Sequence, residues 1–134
     1  PPEEAGKFLG FANAKSLDTI FLLAPTSTPD RIQMVEEASK GFIYYVSLTG
    51  TTGTKEALAE NLEEKVSAIK NEVKLPVLIG FGISGPEQAK EAGQCSDGVI
   101  IGSAIVKLIE SHSDPVERDK KITKFISSIK TALN

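Results

Sequence analysis

The stretch VLIGFGISGPE at residues 77–87 decides the fold. It joins a continuous apolar run, residues 77–80, directly to a helix start at residues 84–87. The run lacks polar and apolar alternation, which predicts a strand of a parallel sheet covered by helices. A serine followed three residues later by a glutamate predicts a capping box. In it, Ser84 is the helix cap and the Glu87 side chain accepts a hydrogen bond from the Ser84 backbone N–H. A strand that passes straight into a helix is the repeating unit of parallel α/β proteins.

The same pattern occurs four times along the chain. Two further helix starts carry a capping residue before a proline, Thr28-Pro29 and Asp114-Pro115. Strands are predicted at residues 19–24, 42–47, 77–80 and 98–101, and helices at residues 3–15, 29–39, 56–72, 86–92, 103–111 and 115–132. This pattern is typical of four βα units with a preceding helix and a short extra helix, and it fits either an open doubly wound sheet or part of a barrel.

Composition excludes several classes of partner. The 134 residues are 40% hydrophobic and 25% charged, the balance of a globular domain, and the net charge is −3. No basic stripe is present to neutralise nucleic-acid phosphates, so a nucleic-acid partner is not expected. The sequence holds no apolar run of bilayer-spanning length, and residues 1–4 lack the features of a secretion signal, which predicts no membrane association. The expected location is the cytoplasm, or the interior of an organelle after import.

The sequence offers no set of metal ligands. Cys95 is the only cysteine and His112 the only histidine, and neither has a matching ligand at helical or hairpin spacing. We expect no metal site. Cys95 is interpreted as a small, partly buried residue rather than a nucleophile, and His112 as an exposed residue near a helix C-terminus.

Glycines follow three of the predicted strands. They lie in residues 48–53, in residues 80–84, and at Gly102-Ser103, where the short extra helix starts. Ligands of parallel α/β folds gather at the carboxyl ends of strands, where glycine lets backbone N–H groups approach an oxyanion. A helix N-terminus adds a favourable dipole for an anion. The spacing therefore predicts a phosphate site, because barrel phosphate sites use the last two strand loops and a short extra helix.

These segments together resemble a known family. The motifs GFGIS (residues 80–84), GSAIVK (residues 102–107) and YYVS followed by GTTG (residues 44–53) are similar to those of the tryptophan synthase alpha chain. The resemblance covers essentially all 134 residues. It implies the C-terminal half of a (β/α)8 TIM barrel, from helix 4 through helix 8, so that residues 1–134 form a single half-barrel segment.

The resemblance also implies a function. The family is a lyase of tryptophan biosynthesis that cleaves indole-3-glycerol phosphate to indole and glyceraldehyde 3-phosphate, and it passes the indole to a pyridoxal-phosphate beta chain. The implied phosphate-binding residues are Gly53, Gly82, Gly102 and Ser103. Tyr44 and Phe81 match positions on the indole side of the pocket, and Thr52 matches the threonine of the lid loop. Thr51 replaces the more usual valine of that loop, and Leu48 replaces an arginine found in some members.

The family's acid and base are a glutamate and an aspartate that lie earlier in the barrel, so no catalytic residue is expected in this chain. Glu3 and Glu4 do not replace them, because acidic residues at a helix start are explained by the helix dipole. Without two placed carboxylates the carbon–carbon cleavage should not run, so the chain alone is expected to be inactive and to need no cofactor of its own. The missing initiator methionine agrees with a chain cut from a longer one.

Expected partners follow from the same resemblance. They are a phosphorylated ligand, the N-terminal half of the barrel, the beta chain, and further copies of this chain through exposed sheet edges. The segment from residue 48 to about residue 55 is expected to be mobile without ligand, because it has little to bury. Two alternatives remain: an autonomous or engineered non-enzymatic half-barrel domain, and another sugar-phosphate barrel such as an isomerase or epimerase.

Overall fold

The computed structural model describes residues 1–47, 55–80 and 82–134, with side chains described outside residues 55–61. The chain alternates strands and helices throughout these ranges. In order, it contains a 3-10 helix (Pro2–Glu4), α1 (Gly6–Ala14), β1 (Leu22–Leu23), α2 (Pro29–Ala38), β2 (Ile43–Val46), α3 (Lys55–Glu72), β3 (Val77–Gly80), α4 (Pro86–Cys95), β4 (Gly98–Ile100), α5 (Ser103–Ser111) and α6 (Pro115–Leu133). The four predicted βα units and the short extra helix α5 are confirmed.

The four strands form one parallel sheet in chain order, β1-β2-β3-β4. Leu22 pairs with Tyr44, Tyr44 with Leu78, and Leu78 with Gly98, so these residues lie across the sheet in one row. The order does not reverse within the described strands, whereas a doubly wound sheet reverses at its switch point. The sheet is therefore the barrel type, and β1 and β4 are its two edges.

Helices cover one face of the sheet. Side chains on that face are almost fully buried, and Tyr45, Ile43 and Ile79 are among the largest of them. The core also contains Val66 and Ile69 of α3, together with buried residues of α2, α4 and α6. Burial of this apolar surface is the main favourable contribution to folding, at about 25 cal/mol per Å² removed from water.

The opposite face of the sheet is only partly covered. Tyr44, Val46, Leu78 and Ile100 on this face are half-buried, and Leu22 is 55% exposed. The strands thus carry apolar residues on both faces of the sheet, one face packed under helices and the other open. We call this second surface, formed by Leu22 and the four half-buried residues, the inner face.

The helix starts agree with the sequence in two cases of three. The Thr28 side chain accepts a hydrogen bond from the Arg31 N–H, and that of Asp114 from the Glu117 N–H. The predicted capping box at Ser84 is wrong. Gly85 is the cap residue of α4, and the Gln88 Oε1 atom accepts hydrogen bonds from both the backbone N–H and the hydroxyl of Ser84. The start is still held by a side chain, but by a glutamine one residue further on.

None of the helices in the described ranges carries an apolar stretch long enough to cross a membrane.

Candidate functional site

The loops of the predicted phosphate site start from neighbouring positions on the sheet. Val46 pairs with Gly80, and Gly80 pairs with Ile100, so β2, β3 and β4 end at one level. Gly82 and Gly102 each follow a paired residue by two positions. Both glycines therefore follow neighbouring strands at the carboxyl edge of the sheet.

Gly82 has a backbone conformation that requires glycine. Its φ angle is +77°, in the left-handed region that side chains disfavour. The residue is exposed, while the next residue, Ile83, is 7% exposed and packs in the core. The loop is thus anchored by Ile83, and its glycine faces solvent above the sheet.

Gly102 and Ser103 form the open N-terminus of α5. The Ile105 and Val106 N–H groups both donate to the Gly102 carbonyl, so the amides of Ser103 and Ala104 precede the first intrahelical bonds. No side chain caps this helix, nor α1 and α4, whereas α2 and α6 are capped. These amides and the helix dipole are suited to an anion.

No described residue lies close beside Gly102. A Cβ atom added there would meet no heavy atom of the described part of the chain within 4 Å. Glycine is therefore not required here for close packing of the protein. Its lack of a side chain instead leaves the approach to the α5 amides open.

Tyr44 lies on the inner face just below this edge. Its ring crosses Gly80, and a Cβ atom at Gly80 would collide with the Tyr44 ring carbons and hydroxyl. Gly80 is thus needed for the position of Tyr44. Sequence reasoning placed Gly80 at the end of a strand and the start of a glycine-rich loop. It did not predict the contact with Tyr44, because that contact depends on strand register.

Ser47 is a residue that sequence reasoning missed. It follows β2 directly and is only 4% exposed. Its hydroxyl donates a hydrogen bond of 3.3 Å to the Gly80 carbonyl, and its backbone N–H donates one of 3.1 Å to the same oxygen. A lone serine at a strand end carries no sequence signal for such a contact.

Three predicted site residues, Thr52, Gly53 and Phe81, lie outside the described residues. The segment predicted to be mobile also lies outside them, apart from Lys55, which begins α3. The predicted site residues that lie in the described part of the chain are therefore Tyr44, Gly82, Gly102 and Ser103.

Cys95 is half-buried, as expected, and burial raises the pKa of its thiol, which disfavours the reactive thiolate. His112 is half-buried rather than exposed. It is the C-cap residue of α5, and its ring Nδ1 lies 3.0 Å from the Leu108 carbonyl oxygen. Among the described residues, no group of three metal-ligating side chains comes together.

A separate depression lies at the start of α2. It measures about 450 Å³ and is lined by Thr26, Ser27, Thr28, Asp30, Arg31 and Met34. None of the predicted site residues lines it. The Arg31 guanidinium is engaged elsewhere, in a 2.6 Å ion pair with Glu3.

Comparison with known proteins gives consistent results. A family model described as tryptophan synthase alpha chain matches residues 1–134. The alpha chain of Pelobacter propionicus is 42% identical over 133 residues, which are 99% of this chain and 49% of that protein. The alpha chain of Geobacter sulfurreducens is 43% identical over 133 residues, which are 99% of this chain and 50% of that protein.

Solved structures agree. Tryptophan synthase subunit alpha from Campylobacter jejuni superposes with a TM-score of 0.81 at 31% identity, over 95% of this chain and 49% of that chain. A chain of tryptophan synthase from M. tuberculosis superposes with a TM-score of 0.77 at 31% identity, over 99% of this chain and 47% of that chain.

The sequential parallel sheet, its helices on one face and its glycine loops at one end define the class of (β/α)8-barrel proteins, of which this chain forms half. The chain spans about half the length of the curated relatives it matches. It belongs to the tryptophan synthase alpha chain family.

Proposed function

We propose that this chain is the phosphate-binding half of a tryptophan synthase alpha chain. The observation that carries the proposal is the N-terminus of α5, where no side chain caps the helix and none of the described residues lies close beside Gly102. Gly82 and Ser103 complete the described part of the site, and Gly53 would complete it from the loop after β2. Tyr44 and Phe81 would line the indole side of the pocket, with Thr52 on the loop that covers the substrate.

The reaction of the complete enzyme is the cleavage of indole-3-glycerol phosphate to indole and glyceraldehyde 3-phosphate. The acid and base would come from the N-terminal half of the barrel, so this chain alone binds phosphate without turning over substrate. Residues 1–134 would act as one unit, equivalent to helix 4 through helix 8 of the barrel. Its partners would be that other half and the beta chain, in the cytoplasm or inside an organelle.

Titration with inorganic phosphate and glycerol 3-phosphate, followed by amide chemical shifts, tests the proposal. We expect shifts at Gly82 and Ser103. Each N–H bond to phosphate contributes about 1.5–3 kcal/mol before ordering costs, so a few together support a millimolar to micromolar site. Amides that stay still at high phosphate would refute the site. Release of indole from indole-3-glycerol phosphate by the purified chain would refute the proposal that this chain alone is inactive.

Replacement of Gly102 with valine should abolish this binding. The structure leaves room for the side chain, so the expected effect is obstruction of the anion and not loss of the fold. Gly10→Val in α1 is the matched control, because a Cβ atom there also meets no heavy atom of the described residues within 4 Å. Gly10 lies in the helix that precedes β1 and is not part of any loop that follows a strand. Equal phosphate affinities for the two variants would count against the α5 site.

A further inference from the structure

We propose that Ser47 is a positioning residue for the phosphate site. It holds the peptide group at which β3 ends, and so sets the direction of the loop that carries Gly82. This inference rests on the proposed phosphate-binding function.

Ser47 uses two donors on one oxygen. Its backbone N–H continues the parallel ladder to the Gly80 carbonyl at 3.1 Å, and its hydroxyl adds a second bond at 3.3 Å. The ladder itself needs only the first bond. A hydroxyl that is buried to this degree is costly unless it is hydrogen-bonded, so the second bond fixes the hydroxyl on the Gly80 carbonyl.

The same peptide unit is held from the other side of the sheet. Ser47 lies on the helix-covered face, in the row of Ile43 and Tyr45, while the Tyr44 ring crosses Gly80 on the inner face. Residues of β2 and its end therefore contact Gly80 on both faces of the sheet, Ser47 on one and Tyr44 on the other. The end of β3 has little freedom to rotate, and Gly82 follows two residues later in its left-handed conformation.

Removal of the Ser47 hydroxyl would keep the backbone hydrogen bond to the Gly80 carbonyl but remove the side-chain hydrogen bond on the helix-covered face. The loop would then sample more orientations in the unliganded protein, and phosphate would have to order it on binding. That ordering cost lowers affinity without removing any contact to the ligand.

Ser47→Ala tests the role, and Ser39→Ala is its matched control. Ser39 is the other buried serine, at 6% exposure, and its hydroxyl accepts a 3.4 Å bond from the Phe21 N–H. It lies between α2 and the start of β2, at the opposite end of the sheet from the site. Loss of one hydrogen bond at Ser47 should raise the dissociation constant of inorganic phosphate about five- to tenfold. Ser39→Ala should lower the melting temperature and leave that constant unchanged.

Two more variants complete the test. Ser47→Thr keeps a hydroxyl and should restore phosphate affinity. Ser47→Cys keeps the shape with a much weaker donor and should behave like Ser47→Ala, which covers the case in which the alanine variant does not fold. Equal weakening by Ser47→Ala and Ser39→Ala would mean a merely structural role and overturn the inference.

The remaining outcomes separate this inference from the proposed function. Wild-type binding that Ser47→Ala and Ser47→Cys leave unchanged overturns the Ser47 role alone. A wild-type chain that binds no phosphate overturns the proposed function, and the Ser47 inference falls with it.

Discussion

At the scale of single residues, Gly80 and Gly98 make a direct comparison on the inner face. A Cβ atom at Gly80 collides with the Tyr44 ring, whereas one at Gly98 lies at an ordinary 3.4 Å from the Leu78 Cγ atom. We expect Gly80→Ala to lower the free energy of unfolding by about 1–3 kcal/mol, the usual cost of overpacking. Gly98→Ala should leave stability unchanged or slightly higher, because alanine restricts the unfolded chain.

Urea unfolding measures both variants, and a double variant identifies the cause. If the Tyr44 ring is the obstacle, Gly80→Ala combined with Tyr44→Val should be more stable than the sum of the two single changes predicts. Strictly additive effects would mean that Gly80 is needed for another reason.

Individual residues also show where sequence reasoning succeeds. The sequence predicted that Gly82 follows a strand and that Ser103 begins a helix, and the structure has both in those places. Their role in binding phosphate stays a prediction. Ser47 and Gly80 were not predictable as a contact pair. They are 33 residues apart, and only the register between β2 and β3 brings them together.

At the scale of elements, Asp97 joins α3, β3 and β4 at the amino end of the sheet. Its Oδ1 atom accepts a 2.7 Å bond from the Lys70 ammonium, and its Oδ2 atom a 2.9 Å bond from the Val77 N–H. The hydrogen bond from Lys70, with that from the Val77 N–H, lowers the pKa of the Asp97 carboxyl. The carboxylate form is therefore favoured in the folded protein.

This lowered pKa predicts an acid-sensitive contribution to stability. The contribution is complete above the pKa of an unfolded aspartate, about 3.9, and is lost as the pH falls through the lower folded value. Unfolding free energies measured from pH 6 down to pH 2, about the range that this shift requires, should fall less steeply for Asp97→Asn than for wild type. Lys70→Gln should reduce the slope in the same direction. An unchanged slope in both variants would contradict the prediction.

The bounds of the elements were predictable to different degrees. β3 matches its predicted residues 77–80, because two neighbouring strands hold it along its length. The prediction for β1 covered residues 19–24, but regular pairing is limited to Leu22–Leu23. An edge strand pairs with one neighbour only, and its own sequence does not show how many of its residues that neighbour pairs with.

At the scale of the whole molecule, the sheet formed by the described strands has two unpaired edges and an open inner face. Leu22 is 55% exposed on edge strand β1, and Phe8 and Phe11 on α1 are 62% and 76% exposed. Exposed strand edges and apolar patches favour association. We expect the chain to self-associate at micromolar concentration and to bind an apolar dye, as measured by light scattering and fluorescence.

Leu22→Lys should shift the population toward monomer, because a charge on an edge strand opposes pairing. Val116→Lys is the control, since Val116 is 63% exposed on α6 and lies outside the sheet. A stable wild-type monomer without dye binding would refute the prediction and favour a self-sufficient domain. If both lysine variants shifted the population toward monomer equally, the association would not depend specifically on the β1 edge.

The sequential order of the strands also has a consequence for synthesis on the ribosome. Each strand pairs with the one made just before it, so a nascent chain can extend its sheet one βα unit at a time. Helix α6 reaches back past α5, where the Leu133 side chain rests against Gly93 of α4. Docking of α6 on α4 can therefore begin only after both helices have left the ribosome, whereas each strand can pair as soon as it emerges.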